Sequence, residues 1–260
     1  MKQDFPEVFF SEFDGIRHLH LGTHDWIQGS MRIRDPFAIE LEYVQRMMAW
    51  LLFFDPASIP SRHAMQLGLG AGAITKFCYK KLRMHTTAVE LNPNVVAMCE
   101  NWFSLPPEGE RLNIRIMDAS DIIKNTAHWG TVDALCVDIY DEEAKAPVLD
   151  SVELYRGCKK LLTDDGIMTV NLFGRIASFS KSLKRIATGF DTPIKSGKAT
   201  HLWQFPPTKE GNTIVVASKS QTLPSKEELL NRAQIIQKRW LLPAVKWTKS
   251  LKSVKMSMET

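Results

Sequence analysis

The chain has 260 residues, 44% of them hydrophobic and 24% charged, and a formal net charge of +4 at pH 7. That length fits one large domain or one domain with a small appendage, and the apolar content suffices for a full core. The small positive charge gives no reason to expect nucleic acid as a partner. The four cysteines are scattered without a C-x-x-C pair, so we expect reduced core thiols and neither a disulfide framework nor a zinc site.

Membrane and export signals are absent from the sequence pattern. Residues 1–6 lack the apolar core of a signal peptide, and no stretch approaches the ~20 apolar residues of a membrane helix. We therefore expect a cytoplasmic protein with no membrane partner.

Residues 1–36 contain short segments in which apolar and polar residues alternate, a pattern that predicts a small β-strand appendage. Asp14-Gly15 is a strong hairpin-turn signal, and Trp26–Gln28 is expected to form a third short strand. The appendage also holds His18, His20 and His24, the first two spaced to share one face of a strand. No cysteine or paired carboxylate completes a ligand set nearby, so we expect a polar outer face and no metal site.

Residues 37–220 alternate helical and strand patterns, beginning with a predicted helix over about 37–54. This alternation predicts a mostly parallel, doubly wound α/β sheet covered on both faces. Later helices are expected over about 121–126, 149–161 and 176–188, a turn at 164–166, a fifth strand over 166–172, and antiparallel edge strands over 201–205 and 212–218.

Residues 221–260 are predicted to form a C-terminal helix and a basic tail. Ser225 and Glu228 have the spacing of a capping box, in which each side chain satisfies the other's end of the helix. The helix should bury an apolar face that includes Leu229 and Trp240. Residues 246–255 carry four lysines and no acidic residue, and we expect a solvated, frayed tail.

A glycine turn is the strongest local signal in the α/β region. The apolar segment 64–67 is expected to be a buried strand, and Gly68, Gly70 and Gly72 follow it at every second position. Glycines there let the backbone approach a ligand, because no Cβ blocks it. A helix over about 74–82 would then present its amino end to that ligand. The form is G-x-G-x-G, without the Lys-Ser/Thr of a phosphate loop.

Acidic residues end the next three predicted strands. The strand over 86–90 ends in Glu90, the strand over 112–117 is followed by Asp118, and the strand over 132–137 is followed by Asp138. A carboxylate at the end of the second strand of a doubly wound sheet accepts hydrogen bonds from a ribose diol, and such sheets bind ligands at this edge. The register of these strand ends predicts a nucleoside site.

Several of these pieces together resemble one family over about residues 10–218. They are Ile27-Gln28 after the β-appendage, Tyr43 on the first helix, the turn from Gly68 to Gly72, Glu90, Asp118, and Asp138-Ile139-Tyr140-Asp141. The sequence resembles the spermidine synthase (polyamine aminopropyltransferase) family, which uses the fold of S-adenosylmethionine-dependent methyltransferases. The D-x-x-D from Asp138 to Asp141 is the most specific match.

The resemblance implies transfer of an aminopropyl group from decarboxylated S-adenosylmethionine to a small-molecule amine acceptor, with no tightly bound cofactor and a homodimeric assembly. It implies that Glu90 binds the ribose, that Asp118 binds the adenine amine next to Ala119, and that Asp138 lies near the sulfonium. Asp141 would be the base, and Tyr43 and Gln28 would close the pocket.

The sequence departs from the family pattern at three places. Ala71 stands where the family usually has an Asp that grips the amine of the aminopropyl group. Glu142–Pro147 replaces the proline and Gly-Pro that usually follow the D-x-x-D, and 205–212 differs from the usual Tyr-Pro-x-Gly segment. Two alternatives therefore stay open: an S-adenosylmethionine-dependent methyltransferase, which Ala71 favours, and a non-catalytic nucleoside-binding relative.

Overall fold

A small antiparallel sheet opens the chain, as the sequence predicts. The computed structural model describes residues 5–140, 149–173 and 176–256. The small sheet consists of β1 (Val8–Phe13), β2 (Ile16–Leu21) and β3 (Gly29–Arg32). Asp14 and Gly15 both adopt positive φ in the hairpin between β1 and β2, as a two-residue turn of this kind requires. The prediction of a strand over Trp26–Gln28 is wrong, because the third strand begins only at Gly29.

A mixed sheet of nine strands, counted over the described residues, forms the centre of the molecule. Its parallel part runs in the order β8-β7-β4-β5-β6. These strands are β4 (His63–Leu67), β5 (His85–Glu90), β6 (Leu112–Ile116), β7 (Val132–Val137) and β8 (Leu162–Leu172). Because β4 lies between β5 and β7, the strand order reverses there, and the carboxyl ends flank a crevice of the kind in which doubly wound sheets bind ligands.

The antiparallel edge predicted for the late strands is confirmed. It contains β9 (Ile194–Lys195), β10 (Lys198–Gln204), β11 (Thr213–Ser218) and β12 (Lys252–Lys255). β11 pairs with β8, β10 pairs with β11, and β12 covers the outer side of β10. The expectation of a frayed basic tail is wrong. Trp247, Leu251 and Val254 are buried, so the lysines of this segment lie on the surface of a packed element.

Helices cover both faces of the sheet. They are α1 (Glu42–Met47), α2 (Ala73–Lys76), α3 (Pro93–Trp102), α4 (Ala119–Ile122), α5 (Val152–Leu161), α6 (Ile176–Gly189), α7 (Lys226–Trp240) and α8 (Ala244–Ser250). Asn92 caps α3 by accepting a hydrogen bond from the backbone N–H of Asn94, and Pro93 occupies the first helical position. None of the described helices is both long and apolar enough to cross a bilayer.

One predicted helix is shorter than expected, and another has the expected length but changes type along it. The prediction over 37–54 becomes α1 followed by a 3₁₀-helix over Met48–Phe53, in which every side chain is buried. Because every side chain of this segment is buried, packing against the core determines its backbone more than the helical periodicity of the sequence does. The helix after the glycine turn is four residues of α2 and then a π-helical turn, Phe77–Lys81.

Two local details also differ from expectation. The predicted turn at Asp164–Gly166 lies inside β8, where the pairing with β7 shifts register. Ser225 caps α7 through the N–H of Glu228, as predicted, but the Glu228 carboxylate pairs with Arg232 and not with the helix start. The predicted apolar face of α7 is confirmed, since Leu229 and Trp240 are buried against the 3₁₀-helix side of the core.

Candidate active site

Backbone atoms from two other segments lie close to the glycine turn after β4. A Cβ on Gly68, which has a φ of +84°, would overlap the backbone oxygen of Asp138. A Cβ on Gly70 would lie 2.9 Å from the backbone oxygen of Gln28. Both positions therefore require glycine, because the end of β7 and the segment before β3 approach the turn directly.

A buried glutamine, Gln66 on β4, fixes the shape of this turn. Its Nε2 donates to the backbone oxygens of Gly68 at 2.6 Å and Leu69 at 3.2 Å. Its Oε1 accepts from the backbone N–H and the hydroxyl of Thr75 at the start of α2. All its main hydrogen-bonding capacity is used, so the turn is rigid before any ligand binds. Sequence analysis missed Gln66, although a polar residue inside an apolar strand was a usable signal.

Glu90 at the end of β5 faces the same turn. Its two carboxylate oxygens accept from the backbone N–H groups of Leu69 at 2.8 Å and Asn92 at 2.9 Å. Burial raises the pKa of Glu90, and the backbone N–H groups of Asn92, Leu69 and Leu91 oppose that rise. These bonds orient the carboxylate and leave it lone pairs toward the cavity, which suits a diol.

Asp118 and Ala119 mark the end of β6. The Asp118 carboxylate accepts from the backbone N–H of Ser120 at 2.6 Å, so it caps the short helix α4. Both residues line the same cavity as Glu90. The cap fixes the side-chain position of Asp118 at the cavity wall.

Asp138 follows β7 and lies at the centre of the site. Its Oδ1 accepts from Asn171 Nδ2 at 2.9 Å, and the carboxylate also accepts from the hydroxyl of Tyr43. Burial raises the pKa of Asp138 to about 6, although both hydrogen bonds lower it. The pKa of Tyr43 is raised by burial and by the neighbouring Asp138, so Tyr43 is a neutral donor.

These residues surround one large cavity of about 760 Å³. Seven carboxylates line it: Asp25, Glu40, Glu42, Glu90, Asp118, Asp138 and Glu210. Among the described residues no lysine or arginine lines it. His18 is the one basic side chain among the described lining residues. The pKa of His18 is lowered by burial and by His20, with Glu40 acting in the opposite sense. Glu40 and Glu42 pair with Arg32 and Arg46, which are not among the lining residues, and the other five carboxylates make the cavity suited to cations.

One wall of the cavity comes from the N-terminal segment. Trp26 packs edge-on against Phe173, with ring centroids 5.9 Å apart, and joins the small sheet to the end of β8. Gln28 also lines the cavity, and its backbone covers Gly70. The segment is held by His20, which bonds the backbone oxygen of Trp26 at 3.1 Å.

The predicted polar outer face of the histidines is wrong for His20. His20 is buried, bonds Ser11 at 2.8 Å and stacks on Phe9, because β1 and the segment before β3 cover it. His18 bonds Ser30 and His24 lies against Phe9. Within residues 5–140, 149–173 and 176–256, no group of histidine, cysteine and acidic side chains is arranged to hold a metal ion.

The structure brings together most of the residues singled out from the sequence. The cavity is lined by Gln28, Tyr43, Gly68, Gly70, Glu90, Asp118, Ala119 and Asp138. Gly72 is not among the lining residues. It adopts a φ of +68° and turns the chain into α2. Asp141 and the replacement over 142–147 lie outside the described residues. Sequence analysis missed Asn171 and Asn212, which line the cavity from strand ends with no motif of their own.

A parallel sheet whose strand ends carry a glycine turn, a glutamate and two aspartates at one carboxylate-lined cavity is typical of a methyltransferase-like transferase. The spermine/spermidine synthase domain matches residues 57–224. The chain belongs to the spermine/spermidine synthase family.

Relatives and solved structures agree with this assignment. The chain is 34% identical to a polyamine aminopropyltransferase of Neisseria meningitidis serogroup A over 84% of this chain and 78% of the relative. It is 31% identical to a polyamine aminopropyltransferase of Chromobacterium violaceum, over 95% and 90%. A probable spermidine synthase from Corynebacterium glutamicum shares the fold, with a TM-score of 0.70 and 16% identity over 97% and 94%.

Proposed function

We propose that this protein moves an aminopropyl group from decarboxylated S-adenosylmethionine to a small amine. The observation that carries the proposal is the cavity wall, with seven carboxylates and no lysine or arginine among its described residues. Both substrates of such a reaction are cations: the donor is a sulfonium with an ammonium, and an alkyl amine titrates near ~10. The names of the 34% and 31% identical relatives support the same reaction.

The donor would occupy the glycine-turn side of the cavity. Glu90 would accept from the ribose diol, and Asp118 would accept from the adenine amine beside Ala119. Gly68 and Gly70 would let the backbone approach the ligand, and Gln28 and Tyr43 would cover the reacting atoms. Asp138 would lie close to the sulfonium, where its negative charge favours the cationic donor.

The transfer forms one C–N bond and breaks one C–S bond. The amine lone pair attacks the carbon of the aminopropyl group that is bonded to sulfur. The C–S electron pair stays on sulfur, which leaves as a neutral thioether. The amine must lose a proton, and Asp141 is the proposed base. A general base of this kind typically contributes ~10²–10⁴-fold. Asp138 prepares the site by holding the cationic groups in line for attack.

A second candidate, methyl transfer from S-adenosylmethionine itself, is favoured by the surroundings of Ala71. Ala71 is buried, and a Cβ on the facing Gly29 would lie only 2.7 Å from the Ala71 Cβ. The turn therefore presents a methyl group at a point where a carboxylate would select the unmasked amine. Without that carboxylate, the turn itself discriminates less against an amino-acid carboxyl group on the donor.

Direct binding titrations separate these functions. Purified protein is titrated with S-adenosylmethionine, its decarboxylated form and 5′-methylthioadenosine, and turnover is then measured with putrescine and longer amines. Tightest binding of the decarboxylated donor, followed by turnover, is the expected result. Preference for S-adenosylmethionine would move the function to methyl transfer. Binding without turnover of any amine would point to a non-catalytic nucleoside-binding protein.

Two variants assign the base. Asp141→Asn is expected to lower kcat by about 10²-fold or more while donor binding persists. Asp121→Asn, at an exposed position of α4, is the matched control and should leave kcat unchanged. Unchanged kcat in Asp141→Asn would remove Asp141 from the role of base.

We infer that the protein is a homodimer in the cytoplasm. We also infer that the chain is divided into three units, residues 1–36, 37–220 and 221–260. The four described cysteines are all free and buried, in agreement with a reducing compartment. Light scattering on the purified protein would test the dimer, because a monomer mass at micromolar concentration contradicts it.

A further inference from the structure

A chain of two amides connects the loop before β11 to Asp138. Asn212 Nδ2 donates to Asn171 Oδ1 at 3.2 Å, and Asn171 Nδ2 donates to Asp138 Oδ1 at 2.9 Å. Asn171 is buried on β8, and none of the signals in the sequence pointed to it. The chain has a direction, because each amide accepts at its oxygen and donates at its nitrogen.

The loop fixes the far end of this chain. The backbone N–H of Asn212 donates to the Thr208 hydroxyl at 3.2 Å, and the Thr208 N–H donates to the backbone oxygen of Asn212 at 2.8 Å. The Asn212 side chain is thereby held toward Asn171. Since ionised Asp138 can only accept, Asn171 turns its nitrogen to Asp138 and its oxygen to Asn212, whose nitrogen then donates to it.

The backbone of Asn171 is fixed independently of its side chain. The Tyr140 hydroxyl donates to the backbone oxygen of Asn171 at 2.8 Å and accepts from the backbone N–H of Phe173 at 2.7 Å. The strand end therefore cannot shift to relieve a poor amide contact. Only rotation of the amide about its own axis remains, and the hydrogen bond from Asn212 opposes that rotation.

We propose that Asn212 and Asn171 form a directional amide relay through which the loop over 208–212 keeps Asp138 ionised and oriented for the transfer. The proposal rests on the proposed function for its reaction, since it assigns two positioning residues to that site. Glu210, on the same loop, lines the cavity with them. An amine that binds at this loop is thus coupled to the carboxylate near the donor.

The other groups around Asp138 are uncharged, so the hydrogen bond from Asn171 has a measurable effect on its pKa. Tyr43 faces it from α1, Tyr140 follows it on the chain, and Cys136 precedes it on β7. Burial raises the pKa of all three, so each is uncharged near neutral pH. No described cationic side chain lines the cavity beside Asp138. Neutral donors, the Tyr43 hydroxyl and the Asn171 amide, therefore provide the stabilisation of its charge.

The test is the titration of the Asp138 carboxyl group, followed by ¹³C NMR and identified as the signal lost in Asp138→Asn. Asn171→Leu, which keeps the volume and removes the donor, is expected to raise the pKa of Asp138 by about one unit. Asn212→Ala should raise it by less. Asn101→Leu, at an exposed position of α3, is the control and should leave the titration unchanged.

Reversal of the relay gives the sharpest variant. In Asn212→Asp, the new carboxylate cannot donate to the Asn171 oxygen and competes with Asp138 for the Asn171 nitrogen, so the hydrogen bond to Asp138 is weakened. The pKa of Asp138 should then rise at least as far as in Asn171→Leu. Through-space repulsion alone would give the same sign, but it would persist in the double variant Asn171→Leu/Asn212→Asp. The relay predicts that Asn212→Asp raises the pKa of Asp138 less in the Asn171→Leu background than in the wild-type background, because only the through-space part remains there.

Kinetics supply the second readout. In Asn171→Leu, we expect kcat to fall about tenfold or more. The acidic limb of the profile of kcat against pH should move to higher pH. The KM of the donor should change little. Asn171→Gln, with the same end group, should recover part of kcat. An unmoved Asp138 titration in Asn171→Leu and Asn212→Asp would overturn the relay while transfer stands. If no amine is turned over, the proposed function fails and NMR still tests the relay.

Discussion

The two halves of the cavity, which we propose to hold the donor and the acceptor, are built in different ways. The donor half consists of the glycine turn, Glu90 and Asp118, all at the ends of neighbouring parallel strands. Its carboxylates already accept backbone hydrogen bonds and are partly buried. The acceptor half comes from distant parts of the chain, with Trp26 before β3, Glu42 at the start of α1 and Glu210 before β11, and these three are exposed.

This difference separates a preorganised site from an adjustable one. Side chains that are bonded to backbone groups of the sheet lose little freedom when the nucleoside binds. Exposed side chains keep more conformational freedom than these until a ligand contacts them, and loops tolerate substitution better than strand ends. We therefore expect changes in the donor half to cost stability and binding together, and changes in the acceptor half to alter amine selectivity.

The largest expected effect is at the glycine turn. Gly68→Ala places a methyl group against the backbone of Asp138 at a positive φ. We expect a loss of at least ~4 kcal/mol in the free energy of unfolding and no measurable nucleoside binding. Gly130→Ala, at a φ of +70° with open space around it, is the matched control and should cost only ~1 kcal/mol. Equal losses, measured by denaturant unfolding, would refute the close contact.

The next effect concerns pH. Because burial holds the pKa of folded Asp138 at about 6 against an ordinary value of 3.8, the folded state binds the proton more tightly. The stability from this group is full below about pH 4 and falls by about 3 kcal/mol as the pH rises through 6. Asp138→Asn should flatten that slope in unfolding measurements from pH 4 to 7. Parallel slopes for the two proteins would contradict the assignment.

A smaller effect is expected at the ribose position. Glu90→Gln must present an amide donor to one of the backbone N–H groups that now bond the carboxylate. The Kd of 5′-methylthioadenosine should rise about 100-fold, which corresponds to a lost charge-assisted hydrogen bond and the resulting donor conflict. Glu100→Gln, on the exposed side of α3, serves as the control. Calorimetric titration measures both, and equal Kd values would remove Glu90 from the site.

The smallest effect tests the acceptor half. Trp26→Ala removes a ring that packs on Phe173 at the cavity wall. The KM of the amine should rise roughly 3–30-fold, the range of a partly solvated cation–π or packing contact, with donor Kd unchanged. Trp129→Ala is matched, since both tryptophans are 39% exposed and Trp129 is not among the cavity-lining residues. A donor Kd that rises with the amine KM would mean that the two halves are not separable.

Much of the donor half was predictable because local patterns encode it. Glycines at alternate positions after an apolar strand, and acids that end the following strands, are properties of neighbouring residues and of parallel-sheet geometry. The same reasoning failed at 37–54, where burial of Met48–Phe53 overrode helical periodicity, and at Trp26–Gln28, where cavity and glycine-turn contacts replaced strand pairing. Asn171 and Asn212 gave no signal, since their partners are defined only by packing, and Gln66 was overlooked although it interrupts an apolar strand.

The sequence by itself determined the α/β class, the glycine turn and the order of the carboxylates along the sheet edge, because these follow from short-range periodicity and chain direction. Only the tertiary structure decided which side chains meet. It buried His20, packed the C-terminal lysine-rich segment as an edge strand, and aligned Asn212, Asn171 and Asp138. Those outcomes depend on contacts between residues far apart in the chain, whose geometry is set by the shared core.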